Sequence, residues 1–254
     1  MCWNKEVSLI TFLVIIIIVV ILYTRNIGSD RHLAIFSAIV VTVQLLEFFA
    51  WLSIEKGNKN MNSLVTRMIL IVLWLQPLIN TIMAYKDVQT QESTNRVEES
   101  KKQWKKILLI ICVIIFSVLT LNGVMTSIKG KFKTKAGPNH HLMWRRKVNE
   151  KTTESFMGDN RYLVVLYLIG LTLPLLLMKP FLKGFSLVVL GLVLLVMSKM
   201  ISSQKESSSW WCWIAFVFVI AAYFYVSPQN VKNDNSDQEK VEQLGKNDNC
   251  SFSF

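Results

Sequence analysis

The sequence predicts an all-α protein, a polytopic transmembrane helical bundle of about seven spans, from its composition and from the distribution of its charges. Hydrophobic residues make up 52% of the 254 residues, and charged residues only 18%. The charged residues gather in short segments between long apolar runs. This separation is typical of a chain whose apolar segments face lipid, where only a helix satisfies its own backbone hydrogen bonds.

Four predicted spans follow one another in the first half of the chain: residues 8–23, 33–54, 64–85 and 107–125. Their lengths are close to the roughly 17–22 residues that a helix needs to cross about 30 Å of hydrocarbon. A cleavable signal peptide is the alternative for the first span, but no small-residue cleavage site follows before Arg25, so we predict a retained anchor. The short polar segment 55–60 predicts an antiparallel hairpin of the second and third spans.

Three further spans are predicted at residues 162–178, 181–198 and 210–227. Only Lys179 and Pro180 separate the fifth span from the sixth, so we expect these two helices to pack as neighbours. Pro228 ends the last span, because proline cannot continue a helix. Residues 1–228 therefore form the predicted membrane domain. The polar segment 229–254 is predicted to be a disordered tail.

The net charge of +11 points to the membrane surface rather than to nucleic acid. Lysines and arginines flank the apolar runs, and no nucleic-acid-binding motif accompanies them. We therefore expect the lipid bilayer, including anionic headgroups, as the partner. Two long loops carry many of these charges, residues 86–106, with a short interfacial helix, and residues 126–161. The basic loop 126–161 favours a cytoplasmic N-terminus.

Polar side chains inside the predicted spans are the best pointers to a functional site, because hydrocarbon penalises them unless they are paired. Gln44 and Glu47 share one face of the second span. Gln76 and Asn80 share one face of the third span, on either side of a proline. Two pairings remain open: Arg67 forms a salt bridge with Glu47, or Gln76 and Asn80 form an amide network with Gln44. The cluster acts either as structural glue between helices or as a site for an ion, proton or small polar ligand.

A second candidate site combines residues that the predicted topology places on the N-terminal side of the bundle. Thiols and imidazoles can bind zinc or copper, and four of them fall on this side: Cys2, His140, His141 and Cys212. They come from distant segments without metal-ligand spacing. The alternative is an aromatic belt of tryptophans at the headgroup level with ordinary loop histidines. We expect no cofactor.

Several known seven-helix activities are excluded. A retinal protein needs a lysine in its seventh span, and the seventh span here has none. A zinc-dependent membrane hydrolase needs converging histidines, whereas the sequence has only three, all of which we assign to loops: His32, His140 and His141. The sequence elements expected after the third span and in the seventh span of a G-protein-coupled receptor are absent.

Three functional hypotheses remain, with an enzyme the least favoured. The first is a binding or transport role at the polar cluster of the second and third spans. The second is a structural or interaction role in which the basic residues 129–135 or 145–147 bind anionic lipid or a partner. The third is an enzyme that uses Cys2, Cys212 or the loop histidines at the membrane surface.

Scattered short motifs resemble an uncharacterised group of small polytopic membrane proteins of large DNA viruses and protists. The motifs lie at residues 1–4, 7–9, 30–36, 44–51, 141–144 and 211–213. They include a Met-Cys-Trp start and the spacing Gln44, Glu47, Phe48 and Trp51 in the second span. The resemblance implies a shared seven-helix membrane fold and carries no activity with it.

Overall fold

The computed structural model describes residues 4–91, 95–137, 142–147, 153–155, 161–201, 217, 219–221, 223 and 224. Helices account for most of this part of the chain, in agreement with the predicted all-α class. In chain order they are α1 (Lys5–Arg25), α2 (Asp30–Glu55), α3 (Lys59–Thr90), α4 (Arg96–Lys129), α5 (Arg161–Leu176) and α6 (Phe181–Ile201). The described residues from 217 to 224 are also helical.

Four of these helices, α1 to α4, are long and apolar enough to cross a membrane. Shorter apolar stretches lie within the last two, Tyr162–Leu176 in α5 and Phe181–Met197 in α6. The seventh predicted span, residues 210–227, lies largely outside the described residues. Within it, Val219 is buried against a core formed by α1, α2, α5 and α6.

Asparagine side chains cap the N-termini of three of the helices. The backbone N–H of Val7 donates to Asn4 Oδ1 at 2.8 Å, and the equivalent bond to Asn58 begins α3 at 3.0 Å. Asn95 caps α4 in the same way. These bonds satisfy N–H groups that the first turn of a helix leaves without a partner.

The prediction of a loop at residues 86–106 is wrong, and the helix cap at Asn95 is one reason. Helix α3 continues to Thr90 and α4 begins at Arg96, so most of this charged segment is helical and no separate interfacial helix is present in its described part. Glu98 and Glu99 in the first turn of α4 favour a helix start, and the lysines that follow are good helix formers. The charged residues therefore extend α4 beyond its apolar portion.

The helices pack so that α3 lies in the centre, in contact with α2, α4, α5 and the sheet described below. The outward faces of α1 and α4 expose large apolar side chains instead of polar ones. Ile17 on α1 is 60% exposed, and Leu121 on α4 is 66% exposed. The interior, by contrast, buries many polar side chains. An outer surface with so many large apolar side chains is not expected of a helical bundle in water.

The bundle has two ends that differ in their charged contacts. At the Glu55 end, Lys5 of α1 lies 2.6 Å from the carboxylate of Glu55, where α2 turns into α3. At the Asp30 end, the last turn of α1 meets the first turn of α2 through Arg25 and Asp30. The end of α3 and the turn between α5 and α6 also lie at the Asp30 end.

A three-stranded antiparallel sheet occupies part of the region 126–161, which we predicted to be a loop. Its strands are β1 (Phe132–Ala136), β2 (Leu142–Lys147) and β3 (Thr153–Ser155), in the order β1-β2-β3. The alternation along β1 turns Phe132 and Thr134 inward and Lys133 and Lys135 outward. The many lysines concealed this two-residue period in the sequence.

Paired hydrogen bonds attach the sheet to the α2–α3 hairpin at the Glu55 end. Asn62 Nδ2 donates to the carbonyl oxygen of Thr134 at 3.1 Å, and the N–H of Thr134 donates to Asn62 Oδ1 at 3.0 Å. Asn62 therefore binds β1 as a neighbouring strand would. The inward side chains of the sheet, including Phe132, Leu142 and Trp144, complete the core between α2 and α3.

Candidate functional site

The structure buries the polar residues that the sequence singled out in the second and third spans. Gln44 and Glu47 of α2 are 2% and 0% exposed, and Gln76 and Asn80 of α3 are both 0% exposed. Arg67 is half-buried on α3. These residues face the protein interior rather than the apolar outer surface.

Asn80 is the residue through which α2, α3 and α5 are linked. Its Nδ2 donates to the carbonyl oxygens of Gly170 and Leu171 on α5, at 3.2 and 3.0 Å. Its Oδ1 lies 2.8 Å from His32 Nε2 on α2. One amide side chain therefore binds two neighbouring helices at once. Neither of these connections was predicted.

Pro174 explains why α5 has a carbonyl available for Asn80. A proline lacks the N–H that would bond to the carbonyl four residues earlier, which in α5 belongs to Gly170. Asn80 supplies the missing donor. The bond thus satisfies a buried backbone group that would otherwise lack a partner, a need that is strongest in an apolar environment.

His32 is a functional candidate that the sequence analysis missed. We assigned it to a loop, but α2 begins at Asp30, and His32 is fully buried in its first turn. Its Nδ1 lies 3.0 Å from Asp87 Oδ2 on α3, opposite the ring nitrogen that faces Asn80. The polar start of α2 concealed this position, because it resembles a loop in sequence. The only signal in the sequence was that His32 and Asp87 flank the two spans of the predicted hairpin on the same side.

Gln76 and Tyr167 form a second buried contact between α3 and α5. The Tyr167 hydroxyl donates to Gln76 Oε1 at 2.7 Å. In the described part of the chain, Gln76 Nε2 is buried and has no hydrogen-bond partner. A buried amide donor of this kind is expensive unless another group accepts from it. Gln76 therefore offers donor capacity inside the protein, one helical turn from Asn80.

Small residues allow the helices to approach closely beside this cluster. A Cβ atom placed on Gly170 would lie 2.6 Å from both Phe116 and Pro77. On α4, a Cβ on Gly123 would lie 2.2 Å from the Trp74 ring, and Thr120 donates to the Trp74 carbonyl oxygen at 2.9 Å. The hydrogen bond reaches α3 just before the helix-breaking Pro77, so α4 supports α3 where its ladder is interrupted.

An ion cluster lies beside His32 at the Asp30 end. Asp30 accepts from Arg25 Nε at 2.6 Å and from Lys183 Nζ of α6 at 3.2 Å. Asp30 and Lys183 are both buried, and the Ser29 hydroxyl donates to the carbonyl oxygen of Lys179. These contacts join the α1–α2 turn to the start of α6. The sequence alone did not indicate this pairing.

The predicted metal-binding residues, Cys2, His140, His141 and Cys212, lie outside the described residues. Within the described ranges, no group of three or more histidine, cysteine, aspartate or glutamate side chains is arranged to hold a metal ion. The polar cluster of α2, α3 and α5 is therefore the candidate site that the structure supports with geometry.

The chain is similar to a viral protein, and no family model matches it. It is 25% identical over 256 residues to the uncharacterised protein R287 of Acanthamoeba polyphaga mimivirus, and the match covers 89% of this chain and 97% of the viral protein. The similarity supports the resemblance to proteins of large DNA viruses that the sequence motifs indicated.

Proposed function

We propose that the chain is a multi-pass membrane protein of about seven spans. The exposed apolar faces of α1 and α4 support this assignment, because side chains such as Ile17 and Leu121 are stable against lipid and costly in water. Continuous exposed apolar surface of this kind marks a membrane or partner interface. The basic segment 126–161, which includes the sheet, favours a cytoplasmic N-terminus.

The membrane assignment is tested by washing membranes from expressing cells with alkaline carbonate. The protein should remain in the pellet and dissolve only in detergent. Release into the aqueous wash without detergent would contradict the assignment. The side on which the N-terminus lies follows from protease protection of an N-terminal epitope tag in sealed vesicles.

The function that the geometry supports best is binding or transport of an ion, a proton or a small polar ligand. The observation that carries it is Gln76, a fully buried residue whose Nε2 has no acceptor among the described residues. The buried carboxyl of Glu47 and the half-buried guanidinium of Arg67 add ionisable groups in the same two helices. An interior that combines donor capacity with ionisable groups suits a polar ligand better than apolar packing alone.

Flux measurements on the reconstituted protein test this function. Sealed vesicles would be given a gradient of protons, Na⁺ or K⁺, and the flux compared with that of empty vesicles. The variants Glu47→Gln and Gln76→Leu should lose the flux and retain their helical content. Glu6→Gln, whose side chain is 59% exposed at the start of α1, is the matched control and should not change it. An unchanged flux in Glu47→Gln would remove Glu47 from the site.

Interaction with anionic lipid is a second candidate function, favoured by the outward lysines of the sheet. Lys133 and Lys135 project from β1, and Lys129 and Lys131 are also exposed just before it. Clusters of basic side chains beside apolar helices attract anionic headgroups. Phosphorylated or acidic protein partners would compete for the same charges.

Charge reversal tests the lipid interaction directly. The protein in phosphatidylcholine nanodiscs should capture vesicles that contain phosphatidylglycerol, and salt should weaken the capture. Lys133→Glu with Lys135→Glu should abolish capture. Reversal of Lys86 on α3 and Lys101 on α4, both exposed at the other end of the bundle, provides the matched control. Equal capture of uncharged vesicles would contradict the proposal.

A further inference from the structure

The orientation of the Asn80 side chain is fixed by its surroundings on α5. The carbonyl oxygens of Gly170 and Leu171 can only accept hydrogen bonds, so the group that faces them must be the Nδ2 amine. The opposite orientation would place the Asn80 oxygen against two carbonyl oxygens. The acceptor Oδ1 of Asn80 must therefore point at His32.

This orientation determines where His32 carries a proton. Because Asn80 Oδ1 accepts, the His32 nitrogen 2.8 Å from it must be protonated Nε2. The alternative neutral tautomer, protonated at Nδ1 alone, would leave an unprotonated nitrogen facing an oxygen acceptor. The arrangement therefore excludes that tautomer, which is the one in which a carboxylate simply orients a neutral histidine.

The contact between His32 and Asp87 then requires a second proton. His32 Nδ1 and Asp87 Oδ2 are 3.0 Å apart, within hydrogen-bond distance. Either an imidazolium donates to the Asp87 carboxylate, or a protonated Asp87 carboxyl donates to the neutral imidazole. Both forms contain the same number of protons. Removal of that proton would place a nitrogen lone pair against a carboxylate oxygen and leave an uncompensated negative charge on the half-buried Asp87.

We propose that His32 and Asp87 form a proton-binding site that retains one proton between Nδ1 and Oδ2. The site takes up this proton from solution through Asp87, whose side chain is 18% exposed, whereas that of His32 is fully buried. Asn80 is a positioning residue that fixes the proton on Nε2. The inference deepens the proposed function by identifying the proton as the ion, and in that respect it rests on it.

The other charged cluster at this end of the bundle centres on Asp30. Asp30 lies on the same helix as His32 and pairs with two cations, Arg25 of α1 and Lys183 of α6. On α3, Asp87 itself is the group that faces the imidazole, and α5 contributes backbone carbonyls to Asn80. The proton therefore balances the charge of Asp87.

Nitrogen NMR of His32 tests the inference without changing the pair. In a variant with His140→Asn and His141→Asn, His32 is the sole histidine, because the chain has three. The ¹⁵N-labelled imidazole should be protonated at Nε2, the nitrogen that faces Asn80 Oδ1. Its Nδ1 should be protonated as well or hydrogen-bonded to a protonated carboxyl group. A tautomer protonated only at Nδ1 would overturn the inference.

Infrared spectroscopy distinguishes the two permitted forms. A neutral His32 must be accompanied by the C=O stretching band of a protonated carboxyl group, and that band should disappear in Asp87→Asn. Glu99→Gln on the exposed face of α4 is the matched control and should leave the band unchanged. An imidazolium without the band also agrees with the proposal. A neutral imidazole without the band contradicts it, because the pair then lacks the second proton.

The spectra test the proton-binding site and the flux measurements test the transport role, so that either can be contradicted without the other. A retained proton in vesicles that carry no flux would leave the proton-binding site in place and contradict the transport role. Proton flux with a neutral His32 and an ionised Asp87 would contradict the site and leave the transport role in place. If both hold, His32→Gln should reduce proton flux, while it should not affect the capture of anionic vesicles by the lysines of β1.

Discussion

Asn80 donates to the carbonyl oxygen of Gly170, which is the carbonyl that Pro174 leaves without its helical donor. The two residues are 90 positions apart in the chain. Asn80 also contacts His32 through its amide oxygen, and no other side chain in the described part of the chain does so. The relationship therefore connects a break in the hydrogen bonds of α5 with the residue that contacts His32. The irregularity in α5 and the candidate site are thus parts of one arrangement.

Replacement of Asn80 by leucine should lower the free energy of unfolding by about 1–3 kcal/mol, because it leaves a buried carbonyl and a buried imidazole N–H without partners. Unfolding of the purified protein in detergent measures the loss. The additional change Pro174→Ala restores an N–H to the Gly170 carbonyl and should recover part of it. Strictly additive effects of the two substitutions would contradict the proposed relationship.

A methyl group on Gly170 should destabilise the protein because the new Cβ would lie 2.6 Å from Phe116 and Pro77. For Gly170→Ala we expect a loss of about 1–3 kcal/mol, the usual cost of overpacking a core. Gly191→Ala on α6 is the matched control, since nothing lies within 4 Å of its Cβ position. Thermal unfolding should show a lower midpoint for the first variant only. Equal midpoints would indicate that α5 does not pack closely on α3.

Substitution of Asp30 by asparagine should be among the most damaging single changes. It removes the carboxylate that pairs with the buried Lys183 and with Arg25. Loss of one partner from a buried ion pair typically costs about 3–5 kcal/mol. Chemical unfolding measures this loss, and Lys183→Met should recover part of it because the uncompensated ammonium is then absent. No recovery in the double variant would indicate that the unpaired ammonium of Lys183 is not the cause of the lost stability.

The sheet should detach from the helices when Asn62 is replaced by leucine, because two hydrogen bonds to Thr134 are lost. The cost is about 1–3 kcal/mol for the buried backbone groups left behind. Hydrogen exchange should accelerate at the amide of Thr134 and leave α1 unaffected. Asn122→Leu on the exposed side of α4 is the control. Unchanged exchange in Asn62→Leu would show that the sheet is held by its apolar contacts alone.

The sequence by itself determined the helical class of the protein and the residues that need interior partners. Long apolar runs predict helices because the signal is local, and Gln76 and Asn80 are conspicuous because amides are rare in such runs. The hairpin of α2 and α3 followed from its short polar connection. The sheet was missed because alternating lysines hide the period of a strand, and His32 was missed because a polar helix start resembles a loop.

Only the tertiary structure decided which side chains meet. The partners of Asn80 lie on α2 and α5, and Gln76 is bound by Tyr167, 91 residues away. The length and periodicity of an apolar run describe one helix alone. They do not determine how that helix is rotated about its axis, or shifted along it, relative to a helix that is distant in sequence. The rotation and the axial position of a helix depend on the packing of small residues such as Gly170. They determine the contact between His32 and Asp87, on which the proton-binding site depends.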